Sequence, residues 1–169
     1  IIMYVGFIFV GTYMGYAVGS APVISYHYGA GNKDELKNLF KRSLTIIIVS
    51  TVVMTLIAEI IAGYLAGIFV SYDNNLLELT TEAIRIYAVS YLISGINIFA
   101  SSFFTALNNG VVSAVISFMR MFVFQIVMIL LLPVVLGISG IWTAVIAAEV
   151  LSVVISVMFL VKNRKKYRY

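Results

Sequence analysis

Five long, nearly uncharged apolar runs, at about residues 1–28, 43–71, 86–107, 111–136 and 140–161, restrict what this 169-residue chain can fold into. Each meets or exceeds the ~20 residues a helix needs to cross ~30 Å of hydrocarbon. The composition points the same way, because 62% hydrophobic and 11% charged residues, with a mean hydropathy of +1.07, lie far from a globular balance. The chain therefore reads as an all-α integral membrane protein with five transmembrane helices in a single membrane domain. The spacing predicts helices over about 1–28, 33–71, 76–107, 110–136 and 140–163, and leaves 163–169 as a basic cytoplasmic tail. Ile1 opens inside an apolar run, with no basic region ahead of it, so the chain is not expected to begin with a signal peptide and reads as a fragment. Without cysteine it has no disulfide framework and no thiolate metal site.

Lys and Arg collect beside the cytoplasmic ends of membrane helices. One basic group holds Lys33, Lys37, Lys41 and Arg42, and a second holds Lys162, Arg164, Lys165, Lys166 and Arg168. Asp73, Glu78 and Glu82 occupy a loop with no basic residue before Arg85. Both basic groups are assigned inside and the acidic loop outside; alternation then puts Asn108-Asn109-Gly110 inside and the Gly137 to Gly140 turn outside. The net charge of +4 reports membrane topology and contact with acidic head groups, not nucleic acid. Tyr64, Tyr72, Trp142, Tyr167 and Tyr169 fall near the expected membrane edges, where aromatic residues anchor.

The junction Pro22-Val-Ile-Ser-Tyr-His-Tyr-Gly-Ala-Gly-Asn32 joins the first two runs. Gly29-Ala30-Gly31 supplies a tight reversal, Asn32 is placed to cap the next helix with Glu35 as its capping-box partner, and Asp34 adds favourable charge to the first turn. The junction serves either as a plain connector or as a more specific signature. Ahead of it, Gly11, Gly15 and Gly19 form a small-residue stripe suited to close helix packing, and Pro22 removes a backbone hydrogen bond where a hinge is expected.

Three charged residues, Glu59, Arg120 and Glu149, lie deep within the apolar runs and are functional candidates by default. At ~1.5 Å per residue, Arg120 lies ~15 Å above the inner loop and Glu149 ~18 Å above the inner end near Val161, on consecutive antiparallel helices. They reach similar depths, so a buried ion pair locking two helices is the expectation, with a transport role as the alternative. Glu59 lies ~18 Å from the outer end at Ser71 with no basic residue near it in its own helix, which makes it the ion-coupling candidate through proton binding, or else an interhelical contact. Catalytic chemistry is not expected. Gly137-Ile-Ser139-Gly140 matches the Gly-x-Ser-Gly of rhomboid-type intramembrane proteases, but His27 lies at the inner end of its helix and Ser139 at the outer loop, so no dyad forms. No metal-ligand cluster is present in the sequence.

Taken together, the Gly-rich helix ending Pro22-x-x-Ser25-x-x-x-Gly29-Ala30-Gly31-Asn32, Arg85-x-Tyr87, Asn109-Gly110, Ser117-x-x-Arg120, Pro133 and Gly137-x-x-Gly140-x-Trp142-x-Ala144 leading to Ala148-Glu149 resemble a known family. The chain resembles the C-terminal half of a multidrug and toxic compound extrusion (MATE) transporter, helices eight to twelve of twelve, over nearly its full length. The resemblance implies most of a six-helix bundle, one half of a twelve-helix protein. It implies cation-coupled export of drugs or other amphipathic organic compounds by alternating access, driven by proton or sodium, with no other cofactor. The implied partners are the bilayer, small organic cations, a preceding helix and an N-terminal six-helix bundle; the implied location is the plasma membrane. Helices 1–28 and 86–107 are then expected to face a central cavity, with Tyr16, Ser25, Tyr91, Asn97 and Phe103 as candidate contacts. One departure stands out: some members carry a membrane-embedded carboxylate in the helix corresponding to 86–107, and this chain has none there. A lipid-linked oligosaccharide flippase of the same superfamily, or a non-transporting membrane scaffold, is the alternative reading.

Overall fold

A computed structural model describes residues 2–169, so the Ile1 end of the first expected helix lies outside the described residues. Among these residues the structure is all-helical, without strands, and five helices are long and apolar enough to cross a membrane. They are α1 (Ile2–Gly29), α2 (Lys33–Val70), α3 (Asn74–Ala106), a fourth crossing over Gly110–Leu136, and α6 (Ile138–Tyr167). The fourth crossing comprises α4 (Gly110–Phe118), a π-helical segment (Met119–Phe124) and α5 (Gln125–Leu136).

The turns are local chemistry. At the end of α1, Gly31 takes a left-handed φ of 68°, the Asn32 N–H donates to the His27 carbonyl at 3.0 Å, and the Gly31 N–H donates to Tyr28 at 3.1 Å. These two bonds make a Schellman close, which needs a residue tolerant of positive φ. The Asn32 side chain then accepts the Glu35 N–H at 3.2 Å. The reciprocal half of the expected capping box is not made, because the Asn32 N–H already serves His27 and the Glu35 carboxylate accepts from Asn38. The same device closes α3: Asn108 is left-handed at φ 57°, its N–H and that of Asn109 donate back to Thr105 and Phe104, and the Asn109 side chain caps α4. Asp73 caps α3 with bonds from Asn75 and Leu76.

Helix α3 is the axis of the bundle, touching α1, α2, α4 and α6. Its contact with α2 is close because Gly95 admits the Thr51 methyl, where an added Cβ would sit 2.6 Å away. Packing between α1 and α3 uses Phe9, Tyr13, Ala17 and Ile24, with Phe9 stacked on Tyr91 at 4.3 Å between centroids. The Gly11, Gly15 and Gly19 stripe does not make this contact, and a Cβ at any of the three would meet nothing within 4 Å. The reason is rotational: the stripe is offset by two residues, about 200°, from the Phe9–Tyr13–Ala17 face that packs. Helix α1 is assigned without a break through Pro22.

The end of α6 corrects the expected 163–169 tail. The helix runs to Tyr167, Arg168 turns left-handed at φ 59°, and Tyr169 folds back into the bundle, 4% exposed. Its ring lies 4.6 Å from that of Phe40 and 4.8 Å from that of Phe103, and its hydroxyl donates to the Leu160 carbonyl at 2.8 Å. Tyr167 is also buried and accepts a bond from Asn109 at 2.9 Å. Neither tyrosine is an interfacial anchor: the left-handed Arg168 turns Tyr169 back toward apolar surface, while Tyr167, still on α6, packs edge-on to Tyr28 and meets Asn109. The two basic groups of the sequence share this end of the bundle, where Lys37, Arg164, Lys165 and Arg168 line one recess. It is called the basic end below.

At the opposite end, α5 meets α6 through Gly137 (φ 62°) and Gly140. A Cβ on Gly140 would collide with the Leu132 carbonyl and lie 2.7 Å from the Pro133 nitrogen, both backbone atoms that cannot swing aside. Gly140→Ala is therefore expected to destabilise the purified protein in detergent by about 1–3 kcal/mol, the usual cost of overpacking, read as a lower midpoint of unfolding; Ser139→Ala, one residue away at an exposed position, serves as the comparison.

Candidate functional site

The deep charges form two pairs of different character. Arg120 lies on the π-helical segment and Glu149 on α6. The guanidinium Nη2 stands 2.8 Å from Glu149 Oε1, and Nε lies 2.9 and 3.1 Å from the two carboxylate oxygens. The side chains are only 19% and 9% exposed. Asn97 of α3 completes the group: its amide donates to Glu149 Oε2 at 2.7 Å and to the Glu149 carbonyl at 3.2 Å, and its own oxygen accepts from Ser156 at 2.8 Å. Three helices thus meet at one carboxylate. A carboxylate removed from water needs a counter-charge and filled lone pairs, and this one has both.

π-Helical turns are rare and cluster at functional positions. Here the wide turn sits over Met119–Phe124 and carries Arg120. No propensity or cap in the sequence announces it.

Glu59 is placed otherwise. Arg85 Nε lies 3.9 Å from Glu59 Oε2, and the side chains are 58% and 34% exposed respectively. The isolation that made Glu59 an ion-coupling candidate therefore does not hold. The apolar run of this helix starts after Arg85, but α3 itself starts at Asn74, so Arg85 is sunk about three turns, level with Glu59. Arg85 is a deep charge that the apolar runs alone conceal. The pair is loose and faces outward from the described helices.

The five candidate cavity residues divide sharply. Tyr91 and Phe103 are core residues, 8% and 0% exposed, because α3 is enclosed by its neighbours on most sides. The Tyr16 hydroxyl donates to Ser43 at 3.0 Å, and the Ser25 hydroxyl to the Ala106 carbonyl at 2.9 Å, so both join helices. Asn97, itself 0% exposed, is the one of the five that lines a groove of about 350 Å³ between α1 and the fourth crossing, while Ser25 is exposed outside it. Val10, Met14 and Val18 form one wall and Met121 the other, while Asn97, Ser101, Ser117 and Arg120 supply polar groups. The groove residues on the fourth crossing were not legible as such, since the expectation placed the cavity on helices 1–28 and 86–107 alone. A second recess of about 380 Å³, between α2 and α6, is lined mainly by aliphatic groups and Tyr169 and holds no part of the charged site.

His27, set aside as a catalytic base, has a buried Nδ1 without a hydrogen-bond partner among the described residues. Groups of His, Cys, Asp and Glu able to hold a metal ion are absent among the described residues.

The chain matches the MatE family model over residues 1–131, which include Asn97 and Arg120 but not Glu149. In fold it is similar to the crystal structure of the Vibrio cholerae MATE transporter VcmN in the bent form, with a TM-score of 0.85 and 18% sequence identity. That likeness covers 95% of this chain and 36% of the Vibrio chain, so this chain spans about a third of its neighbour's length. A comparison with curated proteins finds no match.

Proposed function

Since the chain belongs to the MatE family, we propose that it forms part of a secondary transporter that exports amphipathic organic compounds, drugs among them, in exchange for an entering cation. The observation that carries this reading is the buried Arg120–Glu149–Asn97 group beside a polar-floored groove. Charges are costly in hydrocarbon, and such residues mark ion and substrate pathways. With no carboxylate on α3, Glu149 replaces Glu59 as the coupling candidate of this half. The basic end faces the cytoplasm and the protein spans the plasma membrane, with a preceding helix and an N-terminal bundle completing the transporter. Pro22 is the hinge candidate for the alternating movement, and the open Gly11–Gly15–Gly19 face of α1 is available to a helix outside this chain.

The test is export of a cationic dye by the complete protein in proteoliposomes, with proton and sodium gradients imposed separately. One of the two gradients is expected to drive export; failure of both sinks the reading. Glu59→Gln is expected to leave both the rate and its pH dependence unchanged, since Glu59 stands apart from the groove with Arg85 beside it. A shifted pH profile in that variant would return Glu59 to the coupling role.

A further inference from the structure

Four hydroxyls on α3 and α4 form one continuous hydrogen-bonded chain. Thr105 Oγ1 donates to Ser113 Oγ at 2.7 Å, Ser113 Oγ lies 2.9 Å from Ser101 Oγ, and Ser101 Oγ lies 2.7 Å from Ser117 Oγ. Thr105 is exposed beside the Asn108–Gly110 turn at the basic end, and the three serines are half-buried. Ser117, Ser101 and Thr105 all line the groove that also holds Asn97 and Arg120. One end of the chain thus lies exposed at the basic end, and the other shares the groove with Asn97 and Arg120.

A single serine contact between membrane helices serves packing. This chain does more, because each hydroxyl can both accept and donate, and the line ends at Ser117, one turn before Arg120, the counter-charge of Glu149 on the π-helical turn. We infer that Thr105, Ser113, Ser101 and Ser117 form the inner leg of a proton path between the cytoplasmic face and Glu149. This rests on the transporter reading above and names its coupling ion. Proton passage is balanced at every oxygen: each hydroxyl takes one proton from one neighbour and releases its own to the next. Ser117 and Arg120 lie about 4.5 Å apart along the helix axis, and the groove they share has the room and the polar partners for bridging water. Glu149, on accepting the proton, becomes a neutral acid and loses its ion pair with Arg120; on releasing it, the pair re-forms.

The same geometry disfavours a metal ion. The hydroxyls are bonded directly to one another, leaving no space between them for a cation that requires several oxygen ligands. The Glu149 oxygens are met by N–H donors from Arg120 and Asn97, which present positive charge. Around Glu149, α3 contributes Asn97 and the Tyr91 phenol, the π-helical segment contributes Arg120, and α6 itself contributes neighbouring Ser152 and Ser156. Tyr13 of α1 reaches only the Tyr91 carbonyl. Among the described residues, Arg120 is thus the charged group paired with it.

Ser101 is the link to cut, since it bonds to both other serines. In the complete transporter in proteoliposomes, Ser101→Ala is expected to slow proton-driven dye export, and the accompanying lumenal pH change, about tenfold, equivalent to about 1.4 kcal/mol on the barrier. Ser101→Thr keeps the hydroxyl and should retain the rate. Ser90→Ala removes a buried α3 hydroxyl that bonds only to the Tyr87 carbonyl and should change neither. Wild-type export in Ser101→Ala overturns the path. So does a loss that tracks a lowered melting temperature and that Ser101→Thr fails to restore, which would make the chain packing alone. Export driven by sodium only, indifferent to Ser101, overturns the path but leaves the transporter reading intact; export on neither gradient removes both.

Discussion

Replacing Arg120 by methionine is expected to destabilise the bundle by about 3–5 kcal/mol, because removing one partner of a buried ion pair leaves an uncompensated charge. Glu149 would keep its bonds from Asn97 but lose every charge-assisted contact at 2.8–3.1 Å. The Arg120→Met/Glu149→Leu double variant is expected to recover part of the loss, since neither charge stays buried alone, although the Asn97 amide then keeps only its bond to the backbone carbonyl of residue 149. Unfolding midpoints in detergent for the wild type, both single variants and the double variant close a mutant cycle; a coupling near zero would show that the pair does not hold α6 to the fourth crossing. The cycle also separates stability from transport. The double variant should fold and yet fail to couple, if Glu149 carries the proton.

Tyr169→Ala is expected to cost about 3–5 kcal/mol, the range for removing a large buried aromatic side chain. The ring fills the space between Phe40 and Phe103, and Phe103 in turn contacts Phe99 and Phe104, so its loss opens a cavity at the basic end of the core. Tyr169→Phe keeps the ring and forfeits only the bond to the Leu160 carbonyl, about 0.5–1.5 kcal/mol. Burial, followed by the nearby Tyr167, pushes the Tyr169 phenol above its ordinary value, with Arg164 opposing the shift. The neutral form is the one that folding favours. Its contribution is therefore complete below the usual phenol range near pH 10 and is lost as pH rises above it toward the folded value, a decline that Tyr169→Phe should lack. Equal alkaline stability curves for the two proteins would contradict the burial of this phenol.

The charged site was partly legible in advance. Counting rise per residue from the inner loops placed Arg120 and Glu149 at similar depths, and depth is a property of position along the chain. What that counting could not supply was Asn97, which reaches the same carboxylate from a third helix, or the π-helical turn under Arg120. Arg85 shows the complementary failure: its helix begins before its apolar run, so hydropathy left it in the loop while the backbone carried it down to Glu59. Two of the candidate cavity residues pack in the core for a related reason. Aromatic rings on α3 look the same in a sequence whether they face a cavity or, like Tyr91 and Phe103, face the neighbouring helices of a crowded axis.

The amino-acid sequence by itself determined the number of crossings, their approximate ends, the reversal at Gly31 and the depth of the charges buried within the apolar runs. All of these follow from interactions local along the chain, in which hydropathy sets the length of a span, caps and left-handed residues set its ends, and a fixed rise sets depth. Only the tertiary structure decided which sides of the helices meet. In a soluble helix an apolar stripe fixes rotation about the axis. Helices such as α1, α3 and α6 are apolar nearly all round, because lipid and neighbouring helix are equally good solvents for their side chains, and so no stripe records which face is inward. That choice is made by close fit: Phe9 and Tyr13 against α3 rather than the glycine stripe, Gly140 against the Leu132 backbone, and Asn97 and Arg120 turned toward one carboxylate.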